Sequence, residues 1–151
     1  MFRILVVCTA NICRSPAGEV FLARKLASHA VEVHSAGTLA IDNHPADETI
    51  QEILQERGFP EIANHRSKAL MPSVLNRYGL ILCMENDHLA WVRRNEPGAL
   101  GKTKLFGHWD GQKGVDDPIG RAKEAYAQAL NTIEAYSATW AEKIVALGLC
   151  S

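Results

Sequence analysis

Long apolar runs are missing from this chain. No hydrophobic stretch approaches the roughly 18 residues of a membrane span, and the run within Met1–Cys8 is too short for the core of a secretion signal. Membrane insertion is therefore not expected. Charge of one sign is missing as well: 16 Lys and Arg stand against 17 Asp and Glu, a formal net charge of −1. Such a balance offers nucleic acid no extended basic field. Cysteine is scarce. The four residues Cys8, Cys13, Cys83 and Cys150 form no Cys-x2-Cys pair and no disulfide scaffold, which points to a reducing cytoplasm. The six histidines (His29, His34, His44, His65, His88, His108) make no metal-ligand pair, and no acidic residues cluster with them, so neither a metal nor another cofactor is expected. Repeats, low-complexity tracts and linkers are lacking too. The 151 residues, 47% hydrophobic and 22% charged, read as one globular domain spanning 1–151.

What is there alternates. Ile4 to Val7 is a continuous apolar run of the kind that forms a buried strand in a parallel sheet. Ser15-Pro16 follows as a helix start, a capping hydroxyl with proline at the first helical position, and Ala17, Val20 and Phe21 give that helix an apolar face to about Ala30. Val31 to His34 predicts a second strand. Ala46, Ile50, Ile53, Leu54 and Arg57 keep helical spacing, with Gly58 as a stop. Leu80 to Cys83 predicts a third strand, a helix from about Glu85 ends at Pro97-Gly98, and Lys104 to Phe106 predicts a short fourth strand. Ala122, Tyr126, Ala129, Ile133, Tyr136, Trp140, Ile144 and Leu147 form one stripe of a long final helix. Strands alternating with helices argue for an α/β fold of three layers, a doubly wound parallel sheet with helices on both faces. Ligands of such sheets bind beyond the carboxyl ends of the strands, and Cys8 lies just past the first of them.

The run Cys8-Thr9-Ala10-Asn11-Ile12-Cys13-Arg14-Ser15-Pro16 places a thiol, five residues, an arginine and a serine between strand and helix. As a lone residue Cys8 would read as a small apolar filler. The arginine, the serine and the helix start make it a nucleophile, because thiols gain acidity at helix N-termini and beside cations. The same helix end directs unpaired N–H groups and partial positive charge at a bound anion, so residues 9 to 15 form a phosphate cradle. The planar fork of Arg14 matches two phosphoryl oxygens at once. Asn11 suits the left-handed backbone that a tight anion loop demands. Locally, residues 1–27 carry four cations against Glu19 alone. Asp117, in Asp116-Asp117-Pro118 within a loop bracketed by Gly111, Gly114 and Gly120, supplies an acid able to protonate a leaving oxygen, with the adjacent Asp116 competing for that role, although Asp-Pro is also ordinary turn chemistry.

Cys-x5-Arg-Ser-Pro near the start together with Asp-Pro near position 118 resembles the low-molecular-weight protein tyrosine phosphatases, along essentially the whole chain. The resemblance implies four parallel strands in a flavodoxin-like order, 2-1-3-4. It also implies phosphotyrosine monoester hydrolysis through a phosphocysteine on Cys8, with Arg14 as phosphate clamp, Asp117 as the acid directly before proline and inorganic phosphate as product. Ser15 would stabilise the sulfur as leaving group, and Asn11 would hold the loop through a network with Ser35 and His65. Cys13, five residues from Cys8 on the same loop, reads either as a buried thiol of the first helical turn or as a redox partner able to shield Cys8 in a reversible disulfide. Leu105-Phe106-Gly107-His108-Trp109-Asp110 most resembles bacterial members that partner tyrosine autokinases in exopolysaccharide and capsule production. Three departures stand out: Ala10 replaces a usual glycine, Ile119-Gly120 replaces two aromatic residues, and Leu39 to Ile41 lack the aromatic of many relatives. The nearest rival reading is thiol-dependent arsenate reduction on the same fold, which would need a cysteine relay after the third strand; only Cys83 lies near there.

Overall fold

The computed structural model describes residues 1–150. Four strands form one parallel sheet: β1 (Phe2–Cys8), β2 (Val31–Gly37), β3 (Leu80–Cys83) and β4 (Thr103–Leu105), in the order β2-β1-β3-β4. Four helices cover it: α1 (Arg14–Lys25), α2 (Glu48–Glu56), α3 (Asn86–Asn95) and α4 (Lys123–Ala146). The expected order and the parallel sheet are both present.

The apolar runs read as strands are buried because both faces of the sheet are covered. Ile4, Val6 and Leu82 point into one layer with Phe21, Leu22, Leu130, Ile133 and Trp140 of α1 and α4. Leu5, Val7, Ile81 and Cys83 point into the other, against Val92 of α3 and Leu70, Leu75 and Ala99. Alternate residues of one strand thus serve opposite cores.

Boundaries differ where tertiary contacts outrank local pattern. β1 and β2 are longer than expected because Phe2 pairs with Val31 and the register continues to Cys8 opposite Gly37. β4 is displaced by one residue, its Thr103 opposite Ile81. Helix α1 ends at Lys25 rather than near Ala30. Its apolar face ends with buried Leu26, and Ala27 and His29 close tight turns onto Arg24 and Leu26 to return the chain to the sheet. Helix α2 begins where Asp47 accepts from the Thr49 and Ile50 amides (3.0 and 3.2 Å), and it stops at Gly58, whose φ is +88°.

Candidate active site

β1 delivers Cys8 to the carboxyl edge of the sheet, and the loop Thr9–Cys13 turns from it into α1. The turn passes so close to β2 that a Cβ on Gly37 would collide with the Thr9 carbonyl and the Asn11 amide, so only glycine fits there. Asn11 takes the left-handed backbone, φ +57°. Ala10 is not among the residues with positive φ, which explains why alanine is tolerated at this departure.

Ser15 does not cap α1. The helix starts one residue earlier, at Arg14, with Cys13 as its uncapped flanking residue. The first intrahelical bond runs from the Ala17 N–H to the Cys13 carbonyl (3.3 Å), so the amides of Arg14 and Ser15 have no intrahelical acceptor. The Ser15 hydroxyl is instead 2.9 Å from Cys8 Sγ.

The polarity of that contact follows from its neighbours. Asn11 Oδ1 accepts from the Lys68 amide (2.9 Å), which fixes the side-chain amide so that Nδ2 donates to Ser15 Oγ (2.7 Å) and Ser35 Oγ (2.9 Å). Ser15 Oγ therefore accepts from Asn11, and its one proton is left for the sulfur. Ser35 spends its own proton on Glu19, whose carboxyl is pushed up by burial. His65 Nε2–H donates to the Asn11 carbonyl (2.6 Å), and burial lowers the ring's pKa, with Arg66 and Lys68 adding to that. The structure thus brings Asn11, Ser15, Ser35 and His65 together. Glu19 completes the network and escaped the sequence reading.

Arg14 is 2% exposed, an unusual burial for a guanidinium. It is held by Glu85, by the Val115 carbonyl (2.8 Å) and, more loosely, by Asp117 at 3.8 Å. Asp117 is the member of the acidic pair facing Arg14. Its Oδ1 accepts from the Ile119 amide (3.0 Å), the turn that its sequence also suggested, while its side chain stays 45% exposed. Asp116 is exposed, lining one cleft with Pro118, Arg121 and Gln128 and another with Glu85 and Asp87.

Two residues near the loop had no sequence signal beyond their place after β3. Glu85 precedes α3 and reaches Arg14. His88, in the first turn of α3 and 2% exposed, lies 2.9 Å from Thr9 Oγ1. Cys13 is buried, and burial pushes its thiol up, with Cys8 adding to the effect. Cys83 is fully buried in β3, its thiol likewise pushed up, and packs in the core. Beside the loop, Ala10, Ile12, Leu39, Ile41, His44 and Pro45 line an aliphatic groove of about 340 Å³, with Leu39 and Ile41 well exposed. Phe106 is core, and its carbonyl accepts from the Trp140 indole (2.7 Å), so the stretch Leu105–Asp110 joins the sheet edge to α4.

A buried thiol and arginine on one loop, with a carboxylate across from them at the edge of a parallel sheet, form an arrangement that could take a phosphate group in an α/β protein. Residues 3–147 match the family model described as low molecular weight phosphotyrosine protein phosphatase, and the chain belongs to that family. It is 39% identical over 141 residues to the low molecular weight protein-tyrosine-phosphatase Etp of Escherichia coli K12, covering 93% of each chain. Among solved structures it resembles the tyrosine phosphatase Wzb from Escherichia coli K30 in complex with sulphate, with 41% identity, a TM-score of 0.89, and coverage of 95% of this chain and 99% of that one. The YwlE arginine phosphatase from Geobacillus stearothermophilus is also similar, with 32% identity, a TM-score of 0.90, and coverage of 99% and 96%.

Proposed function

We propose that this protein-tyrosine-phosphatase works through Cys8, Arg14 and Asp117. The Cys8 thiolate attacks phosphorus, forming the S–P bond as the P–O ester bond breaks, and Asp117 protonates the departing oxygen. Water then attacks the phosphocysteine while Asp117 takes its proton. The S–P bond breaks, and inorganic phosphate leaves. The amides of residues 9 to 15 and the Arg14 fork carry the charge on the phosphoryl oxygens. Ser15 donates to the sulfur as it regains charge. The observation that carries the reading is the Ser15 hydroxyl, polarised by Asn11 to present its proton to Cys8. A merely packed cysteine has no use for that arrangement.

The aliphatic groove at Leu39 and Ile41 receives the aryl ring, and exposed Ile119 lies beyond the Asp-Pro on the acid loop. The physiological substrate is a tyrosine autokinase, and the role is control of exopolysaccharide or capsule production in the cytoplasm. Support for that comes from the likeness of Leu105–Asp110 to bacterial members of the family and from the similarity to Wzb. The similarity to an arginine phosphatase motivates phosphoarginine as a second substrate to assay.

The test is hydrolysis of para-nitrophenyl phosphate without added metal. Wild type is expected to be active, and Cys8→Ser is expected to lose on the order of 10⁴-fold or more. Equal rates would remove Cys8 from the mechanism. An Asp117→Ala trap that enriches no tyrosine kinase from cells making capsule would remove the autokinase. Faster turnover of phosphoarginine than phosphotyrosine would replace the substrate class.

A further inference from the structure

The second loop-facing side chain on the α3 side of the sheet is a histidine, and its two ring nitrogens have unlike partners. Nδ1 of His88 is 3.0 Å from the backbone nitrogen of Glu85. A backbone amide can only donate, so Nδ1 carries a lone pair, and the hydrogen of the neutral ring is on Nε2. Nε2 is 2.9 Å from Thr9 Oγ1, so the ring donates there. Thr9 is the residue directly after Cys8, and its carbonyl is tied to the Leu39 amide (2.9 Å). Glu85, pinned through its backbone by the same imidazole, sends its carboxylate to Arg14. One ring therefore touches both halves of the phosphate site, the residue beside the thiol and the anchor of the arginine.

We infer that His88 is a positioning residue for phosphoryl transfer. As the Nε2–H tautomer it fixes Thr9, and with it the Cys8–Thr9 peptide, relative to the start of α3 from which Glu85 holds Arg14. The inference rests on the reading of Cys8 as nucleophile and adds a residue that touches neither phosphate nor leaving group. Protonation of the ring would set N–H against N–H at Glu85 and place a cation beside Arg14. Burial and Arg14 together hold the ring's pKa at about 4, so the Nδ1 acceptor for the Glu85 amide persists throughout the neutral range.

Two substitutions separate the two contacts. Glutamine carries a donor at the reach of Nε2, and asparagine carries an acceptor at the reach of Nδ1. His88→Gln is expected to keep kcat within about threefold of wild type, and His88→Asn to lower it roughly tenfold with KM nearly unchanged, the scale of a small misplacement of reacting groups. Thr9→Val removes the acceptor at constant shape and is expected to cost the same. The double variant His88→Asn with Thr9→Val is expected to be no worse than either alone, as for two ends of one contact. Losses that multiply in the double variant, or equal kcat for His88→Gln and His88→Asn, would overturn the inference. A nitrogen-15 spectrum of the wild-type imidazole provides a readout independent of activity: protonated Nε2 and bare Nδ1 are expected, and the opposite tautomer would refute it. Cys8→Ser assayed alongside distinguishes the failures. An active Cys8→Ser enzyme sinks the nucleophile reading, whereas an inactive one with unaffected His88→Asn sinks only this inference.

Discussion

The loop that follows Cys8 and the loop that carries Asp117 meet at Arg14 but are built in opposite ways. In the first, Asn11, Arg14 and Ser15 are almost fully buried, and their side chains find partners in β1, in β2, around residues 65–68, at the start of α3 and at the Val115 carbonyl. In the second, residues 111–121 are exposed apart from Val115 and Pro118. Left-handed backbone recurs at Gly111, Gln112 and Gly120, and the loop is tied down by the Val115 amide on the Met84 carbonyl (2.7 Å) and a bridge from Gly107 to Lys113. The half proposed to bind charge is the buried, hydrogen-bonded one, where fixed dipoles are worth most. The half proposed to move a proton is the exposed one.

The sharpest way to break this comparison is to remove the acid. Asp117→Asn is expected to lower kcat by roughly 10²–10⁴-fold, more for an alkyl phosphate than for a nitrophenyl ester, whose leaving group needs little protonation. Asp116→Asn is expected to stay within about twofold. Melting temperature is expected to be unchanged in both, because the loop is exposed. An Asp116 variant that loses as much as the Asp117 variant would reassign the acid.

The buried loop is expected to respond differently, losing rate and stability together. Asn11→Ala deletes three side-chain hydrogen bonds and leaves a non-glycine residue at φ +57°. A cost of about 3 kcal/mol in urea unfolding and roughly a tenfold to hundredfold fall in kcat are expected. Loss of rate with full stability would mean the network is less cooperative than its geometry.

Acid should reach the same region through its histidines. The unfolded His88 ring titrates near 6.5, the folded one near 4, under burial and Arg14 and against the pull of Glu85, Asp87 and Asp117. Between those values the unfolded chain binds more protons, so this contribution is complete above about pH 6.5 and is lost as pH falls toward 4. Its size is about 3 kcal/mol. His65, also held down by burial, adds to the same slope. Urea midpoints of His88→Gln are expected to fall less steeply between pH 6.5 and 4 than those of wild type. The smallest effect belongs to Cys13. Cys13→Ser is expected to be nearly as active as wild type but to be inactivated by peroxide in a way that a thiol reductant no longer reverses.

The strands were legible because β1 and β3 are apolar on both faces, a pattern that only a doubly covered sheet makes. Cys8, Arg14 and Asn11 were legible because their spacing is local. Glu85 and His88 were not, since they sit more than 70 residues from Cys8 and meet it only through the β1–β3 pairing. Ser15 was misread as a cap for a related reason. Sequence shows a hydroxyl at a helix start, but the sulfur and Asn11 compete for that hydroxyl only once the loop has folded.

β1 lies between β2 and β3, hydrogen-bonded along both edges. A strand so placed cannot fray from the side; it is released only when the sheet comes apart. Amides of Ile4 to Val7 should therefore be among the last to exchange with deuterated solvent, through global unfolding alone. For Cys8, losing its setting and losing the fold become a single event. On the proposed roles of Arg14 and Asp117, a protease that nicks the outer loop is expected to leave a molecule that still captures phosphate and no longer turns it over.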